Sequence, residues 1–171
     1  KAMSFPVESA RPLQGIGILV TRPAQQAENL CRLIVAEGGT PWHFPVLEIL
    51  PPPNPAAALS LIDQLDSYDL AIFTSANAVR YGLDLIAHRR RLAVPPQRAA
   101  IGQATARVLA ERDAPAHLIP PRFTSEDLLA LPEMHAVAGH RIIIFCGQGG
   151  RDLLKNTLAL RGAQVDCAEV Y

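Results

Sequence analysis

The chain has 171 residues, 49% of them hydrophobic, which is enough for one packed domain, or one domain and part of another. Sixteen Lys and Arg offset sixteen Asp and Glu, so no cationic surplus exists to hold nucleic acid or an anionic membrane by long-range attraction. Cys31, Cys146 and Cys167 form no CxxC pair, which argues against a structural zinc site or a disulfide framework and for reduced core thiols in the cytoplasm, and no window reaches the roughly 18 apolar residues of a membrane span.

In chain order, residues 1–14 are polar, contain two prolines and read as a disordered tail. Residues 15–21 give a strand through Ile16, Ile18, Leu19 and Val20, closed by Arg22-Pro23. Ala27, Leu30, Cys31, Ile34 and Val35 then recur at helical spacing as far as Gly38-Gly39. Residues 42–50 form a second extended segment with Pro45 inside it, and Pro51-Pro52-Pro53-Asn54-Pro55 is too rich in proline for a helix or a central strand, so it marks a crossing between two structural units.

Beyond it the pattern is regular. A helix over residues 56–65 precedes the continuous apolar run Leu70-Ala71-Ile72-Phe73, of the kind buried on both faces of a parallel sheet. Thr74-Ser75-Ala76-Asn77 leads into a helix carrying Val79, Leu83 and Ile86, with cations at residues 88–91 suiting its C-terminal end. Residues 98–101 are a strand entering Gly102-Gln103-Ala104-Thr105 and a helix with Val108 and Leu109; a short strand is expected at 117–119. Phe123-Thr124-Ser125-Glu126 opens a helix with Leu128 and Leu129, Ser125 being a candidate N-cap. The most strand-like run, Ile142-Ile143-Ile144-Phe145, enters Gly147-Gln148-Gly149-Gly150-Arg151, a helix follows to Arg161 and Gly162, and residues 164–171 are a final strand.

Strands alternating with helices of about ten residues imply βαβ units, a mostly parallel sheet and an α/β fold, with ligands held outside the carboxyl ends of the strands. Five turns fall at that edge: Thr21-Arg22, residues 74–77, 102–105, Thr124-Ser125 and residues 147–151. Helix starts expose N–H groups and a positive dipole end, which suit an anionic ligand, although capping is the simpler account of Thr74, Ser75, Asn77, Thr105, Thr124 and Ser125 taken singly. Read as a GxGxxG motif, the glycine turn would put its third glycine at Asp152, an acid facing the pyrophosphate, and no Walker lysine-serine pair is present. The five histidines show no metal-ligand spacing. Arg22 suits a carboxylate or simple solvation equally, and Tyr171 suits an interface as well as proton donation.

Taken together, Thr21-Arg22-Pro23, Phe73-Thr74-Ser75-Ala76-Asn77-Ala78-Val79, Ile101-Gly102-Gln103-Ala104-Thr105-Ala106, Phe123-Thr124-Ser125-Glu126-Asp127-Leu128-Leu129, the glycine turn and Arg161-Gly162-Ala163 leading to Val170-Tyr171 closely resemble uroporphyrinogen-III synthase across residues 15–171. The resemblance implies two flavodoxin-like parallel α/β domains joined by two crossings, with the site in the cleft. Residues 15–44 would be the N-terminal part of the first domain, 45–53 the first crossing, 54–165 the complete second domain and 166–171 the start of the second crossing. The chain stops before the family's return into the first domain.

The same resemblance implies a cytoplasmic monomeric lyase of haem, sirohaem and cobalamin biosynthesis, without metal or cofactor, with neither nucleic acid nor membrane as partner. It would dehydrate and cyclise hydroxymethylbilane with inversion of ring D to uroporphyrinogen III. A carboxylate-rich tetrapyrrole needs many N–H and hydroxyl donors, here Arg22, Ser75, Asn77, Gly102, Thr124, Ser125, Gly147, Gly149 and Gly150. Thr105 and Tyr171 would take catalytic roles, Tyr171 as donor to the departing hydroxyl, since phenols are protonated at neutral pH. A flavodoxin-like nucleotide or phosphate binder and a non-catalytic α/β regulatory module are the alternatives.

Overall fold

The computed structural model describes residues 11–89, 95, 97–150 and 152–171. Residues 1–10 of the expected tail, Arg90 and Arg91 of the expected cationic helix end, and Arg151 of the glycine turn lie outside the described residues.

The chain divides into two compact units at Ile49 and Leu50, just before the proline run. The first holds strand β1 (Gly17–Val20), helix α1 (Ala24–Ala36) and strand β2 (Thr40–His43), the two strands pairing in parallel. Ala27 and Ile34 from one stripe of α1 pack with Val20, and Leu13 from the turn before β1 joins them. The expected extended segment at 42–50 begins two residues earlier and leaves the ladder after His43. The Phe44 and Val46 N–H groups still reach the Val20 and Thr21 carbonyls at 2.9 and 3.2 Å, but Pro45 between them has no donor to continue the pairing.

The second unit contains α2 (Ala56–Asp63), β3 (Leu70–Phe73), α3 (Ala76–Arg89), β4 (Gln97–Ala100), α4 (Gln103–Glu111), α5 (Ser125–Leu129), β5 (Arg141–Cys146), α6 (Leu153–Leu160) and β6 (Gln164–Glu169). Its sheet has the order β4-β3-β5-β6 with every pairing parallel. All four side chains of β3 are buried, as a strand covered on both faces requires. On one face Ile62, Leu83, Ile86 and Leu109 of α2, α3 and α4 pack on Ala71, Phe73, Ile143 and Phe145; on the other, Leu128 and Leu129 of α5 and Leu154 and Leu158 of α6 pack on Ile72, Ile142 and Ile144. Each of these large side chains contributes on the order of 2 kcal/mol by leaving water. Phe73 and Phe145 stack with centroids 4.7 Å apart.

One expected strand is not formed. At residues 117–119 only Leu118 bridges to Ala99, with the His117 and Leu118 N–H groups both directed at the Arg98 carbonyl (2.8 and 3.2 Å). Pro115 on one side and Pro120-Pro121 on the other leave no room for a ladder.

The connections decide where a ligand fits. From β3 the chain moves through α3 to β4 on one side, then returns past β3 to β5 and β6 on the other. The carboxyl ends of β3 and β5 are therefore the point where the winding reverses, and the crevice there is the expected binding place of an open parallel sheet.

Candidate active site

A cavity of about 610 Å³ opens over that reversal point, between Thr74 after β3 and Gly147 after β5. Of the residues singled out in the sequence, Thr124, Ser125, Gly147, Gly150 and Tyr171 line it.

Tyr171 is held from four directions. Its carbonyl accepts from the Gln148 N–H at 2.9 Å, extending the β5–β6 pairing past Glu169. Its hydroxyl lies 2.9 Å from Ser75 Oγ. Its ring stacks on Tyr81 of α3, centroids 5.9 Å apart. Opposite, Gly147 leaves the space the ring needs, because a Cβ there would fall 2.8 Å from Cζ of the phenol. Ser75 accepts the Ala78 N–H at 3.0 Å and so caps α3. The Ser75 hydroxyl and the phenol can each donate in their hydrogen bond, and when Ser75 donates the phenol proton is left for a group in the cavity.

The other turns divide by use. Thr124 Oγ1 accepts the Asp127 N–H at 3.0 Å and also bonds the Asp127 carboxylate, so this hydroxyl caps α5, while Ser125 beside it faces the cavity. Thr74 Oγ1 donates to the Phe145 carbonyl at 3.1 Å and ties the ends of β3 and β5 together. Thr105 and Asn77 are buried, 5% and 7% exposed, in the first turns of α4 and α3 and do not line the cavity. Gly102 precedes α4 and packs against Phe123, whose backbone takes the left-handed region at φ 60° on the cavity rim. Gly149 shapes the turn at φ +71°. Arg22 belongs to the N-terminal unit, exposed after β1, and its carbonyl meets His43 Nε2 at 3.0 Å.

Sequence reasoning named Asp152 as an acid at the glycine turn but missed Tyr81, which sits among helix-face residues, and Lys155 and Glu169 of the lining. Among the described lining residues Lys155 is the one cation, beside Glu126, Asp152 and Glu169. Such a lining disfavours a pyrophosphate, with its dense charge, more than carboxylates bound one at a time through hydroxyls and N–H groups. Among the described residues no group of three or more His, Cys, Asp or Glu is placed to hold a metal ion, and no helix is long and apolar enough to cross a membrane.

Residues 28–171 match the family model described as uroporphyrinogen-III synthase HemD. The chain belongs to the uroporphyrinogen-III synthase family. It is 36% identical over 159 residues to the uroporphyrinogen-III synthase of Escherichia coli, covering 91% of this chain and 64% of that protein, and 34% identical over 161 residues to that of Proteus mirabilis, covering 91% and 79%. Among solved structures, a mutant uroporphyrinogen III synthase of Thermus thermophilus superposes with a TM-score of 0.62 at 26% identity, covering 90% of this chain and 60% of that one. The chain thus spans about 64% of the length of the first of these relatives.

Proposed function

We propose that this chain carries the catalytic turn cluster of a uroporphyrinogen-III synthase, a cytoplasmic hydro-lyase that acts as a monomer on hydroxymethylbilane and closes it, with ring D inverted, to uroporphyrinogen III. In this reading residues 54–165 are the complete domain, 45–53 and 166–171 are crossings, and residues 15–44 belong to a domain completed by further chain.

The observation that carries the reading is the Ser75–Tyr171 hydrogen bond of 2.9 Å on the edge of the cavity over β3 and β5. A phenol fixed by a backbone bond, a ring stack and a serine is a positioned acid. Tyr171 Oη gives its proton to the substrate hydroxyl, the C–O bond breaks, water leaves, and Ser75 stabilises the oxygen left behind. Ser125, the Gly147–Gly150 turn and Gln148 offer hydroxyl, N–H and amide donors to the carboxylates. Holding both ends of a flexible tetrapyrrole near one another supplies much of the rate, because the uncatalysed closure lacks that ordering. No metal enters this scheme.

Tyr171→Phe, in a chain extended to the length of its relatives, is the direct test. The phenylalanine keeps the ring stack and loses the proton, so turnover of hydroxymethylbilane should fall by roughly 10²–10⁴-fold with substrate binding kept. Native turnover in a folded Tyr171→Phe protein removes the assignment.

A further inference from the structure

Cys146 ends β5 and Cys167 lies in β6, and the parallel register pairs Ile144 with Cys167 and Cys146 with Glu169. Partnered positions point to one face, so the two thiols stand on adjacent strands as diagonal neighbours on the same side of the sheet. Both are half-buried, both are free and both line the cavity. The Cys146 S–H lies 3.9 Å from the Ala168 carbonyl. The charges that face them are Lys155, Asp152 and Glu169. The Cys146 thiol is pushed up by the hydrogen bond to Cys167 and by burial. Cys167 is pulled down to about 7 by the bond from Cys146, with Lys155 assisting against burial and the two acids. A thiol lowered toward its thiolate, beside a second thiol on the wall of an open cavity, is the setting in which cysteine reacts.

We propose that Cys146 and Cys167 are a dithiol site on the cavity wall that takes soft electrophiles able to bridge two sulfurs, trivalent arsenicals being the class that fits. With the hydrated form of phenylarsine oxide, each sulfur forms one As–S bond and each As–OH bond breaks. One hydroxide leaves as water with the Cys146 thiol proton and the other with the Cys167 proton, which solvent supplies when Cys167 starts as the thiolate; arsenic stays trivalent and no electron is transferred. Nothing in the proposed tetrapyrrole chemistry uses either sulfur, so the site stands apart from that reading.

The test is phenylarsine oxide added to the folded chain, followed by excess glutathione and intact-protein mass spectrometry. The expected result is one arsenical per chain that resists glutathione and is released by a 1,2-dithiol, kept in Cys31→Ser and lost in Cys146→Ser and in Cys167→Ser. Complete removal of the arsenical by glutathione from the unsubstituted protein overturns the proposal without reference to any variant, as does a resistant adduct that survives loss of either cysteine.

Discussion

At Gly147 a hydrogen stands where any other residue would put a carbon 2.8 Å from the Tyr171 ring. The resemblance made this glycine a donor to substrate carboxylates; the structure gives it a steric task, to leave room for a phenol. Gly147→Ala should therefore displace the ring, lowering stability by about 1–3 kcal/mol through overpacking and lowering kcat more than it changes KM. Thermal melts with steady-state kinetics on the extended chain check both, and an alanine variant with native kcat would contradict the socket. Ser75→Ala should cost about 1 kcal/mol from the lost cap and also slow turnover, whereas Ser75→Thr should retain much of both. The Ser75 cap could be read from residue type and position, but the expected N-cap Ser125 is one residue late: Thr124 accepts the Asp127 N–H and caps α5. The Ser75–Tyr171 contact could not be read, because it joins residues 96 positions apart.

Tyr68 offers a pH test at the opposite edge of the sheet. Burial first, then the 2.7 Å hydrogen bond to Asp166, push its phenol up from 10.0 to about 12, against the Arg141 guanidinium stacked 4.7 Å from its ring. A raised folded-state value means the folded protein holds this proton more tightly. The stabilisation is complete below the unfolded value near 10 and is lost as pH climbs through about 12. Tyr68→Phe should flatten the fall in melting temperature over that window, and an unchanged slope would contradict the assignment.

Among the elements, α3 comes close to the sheet at Gly82, where a Cβ would sit 2.8 Å from Phe145 Cδ1. Two effects compete in Gly82→Ala. Alanine gains about 1 kcal/mol of helix propensity, and pressing a methyl into the Phe73–Phe145 stack costs about 1–3 kcal/mol. The buried side wins, so the variant should unfold at lower urea, with an equal or higher midpoint as the contrary result. β3 and β5 were legible because a short, wholly apolar run between polar turns has few other uses. Residues 117–119 and the bounds of β2 were not, because a ladder depends on the partner strand and on which N–H groups proline removes. Cys146 and Cys167 looked unrelated for the same reason, since only the β5–β6 register sets them side by side.

For the molecule as a whole, burial is unequal between the units. The N-terminal unit buries Val20, Ala27 and Ile34 and leaves Ile16, Leu19, Leu33, Val35, Trp42 and Phe44 exposed. A two-stranded sheet with so small a core is marginal by itself. In the 171-residue protein, amides of β1 and β2 should exchange with solvent well before those of β3 and β5. Equal protection would show the first unit to be stable alone. The α/β class and parallel sheets were legible from alternating strands and helices, while the 64% share of a relative's length that the chain covers is visible only by comparison.

The central claim is that the cavity over β3 and β5 directs ring closure through Tyr171. The measurement that tests it most directly is incubation with hydroxymethylbilane followed by separation of the isomer I and isomer III products. It should be run on the native and Tyr171→Phe forms of the chain extended beyond Tyr171. The account predicts isomer III from the native protein and a shift toward the uncatalysed isomer I in the variant; isomer III formed at the native rate and ratio by Tyr171→Phe would contradict it.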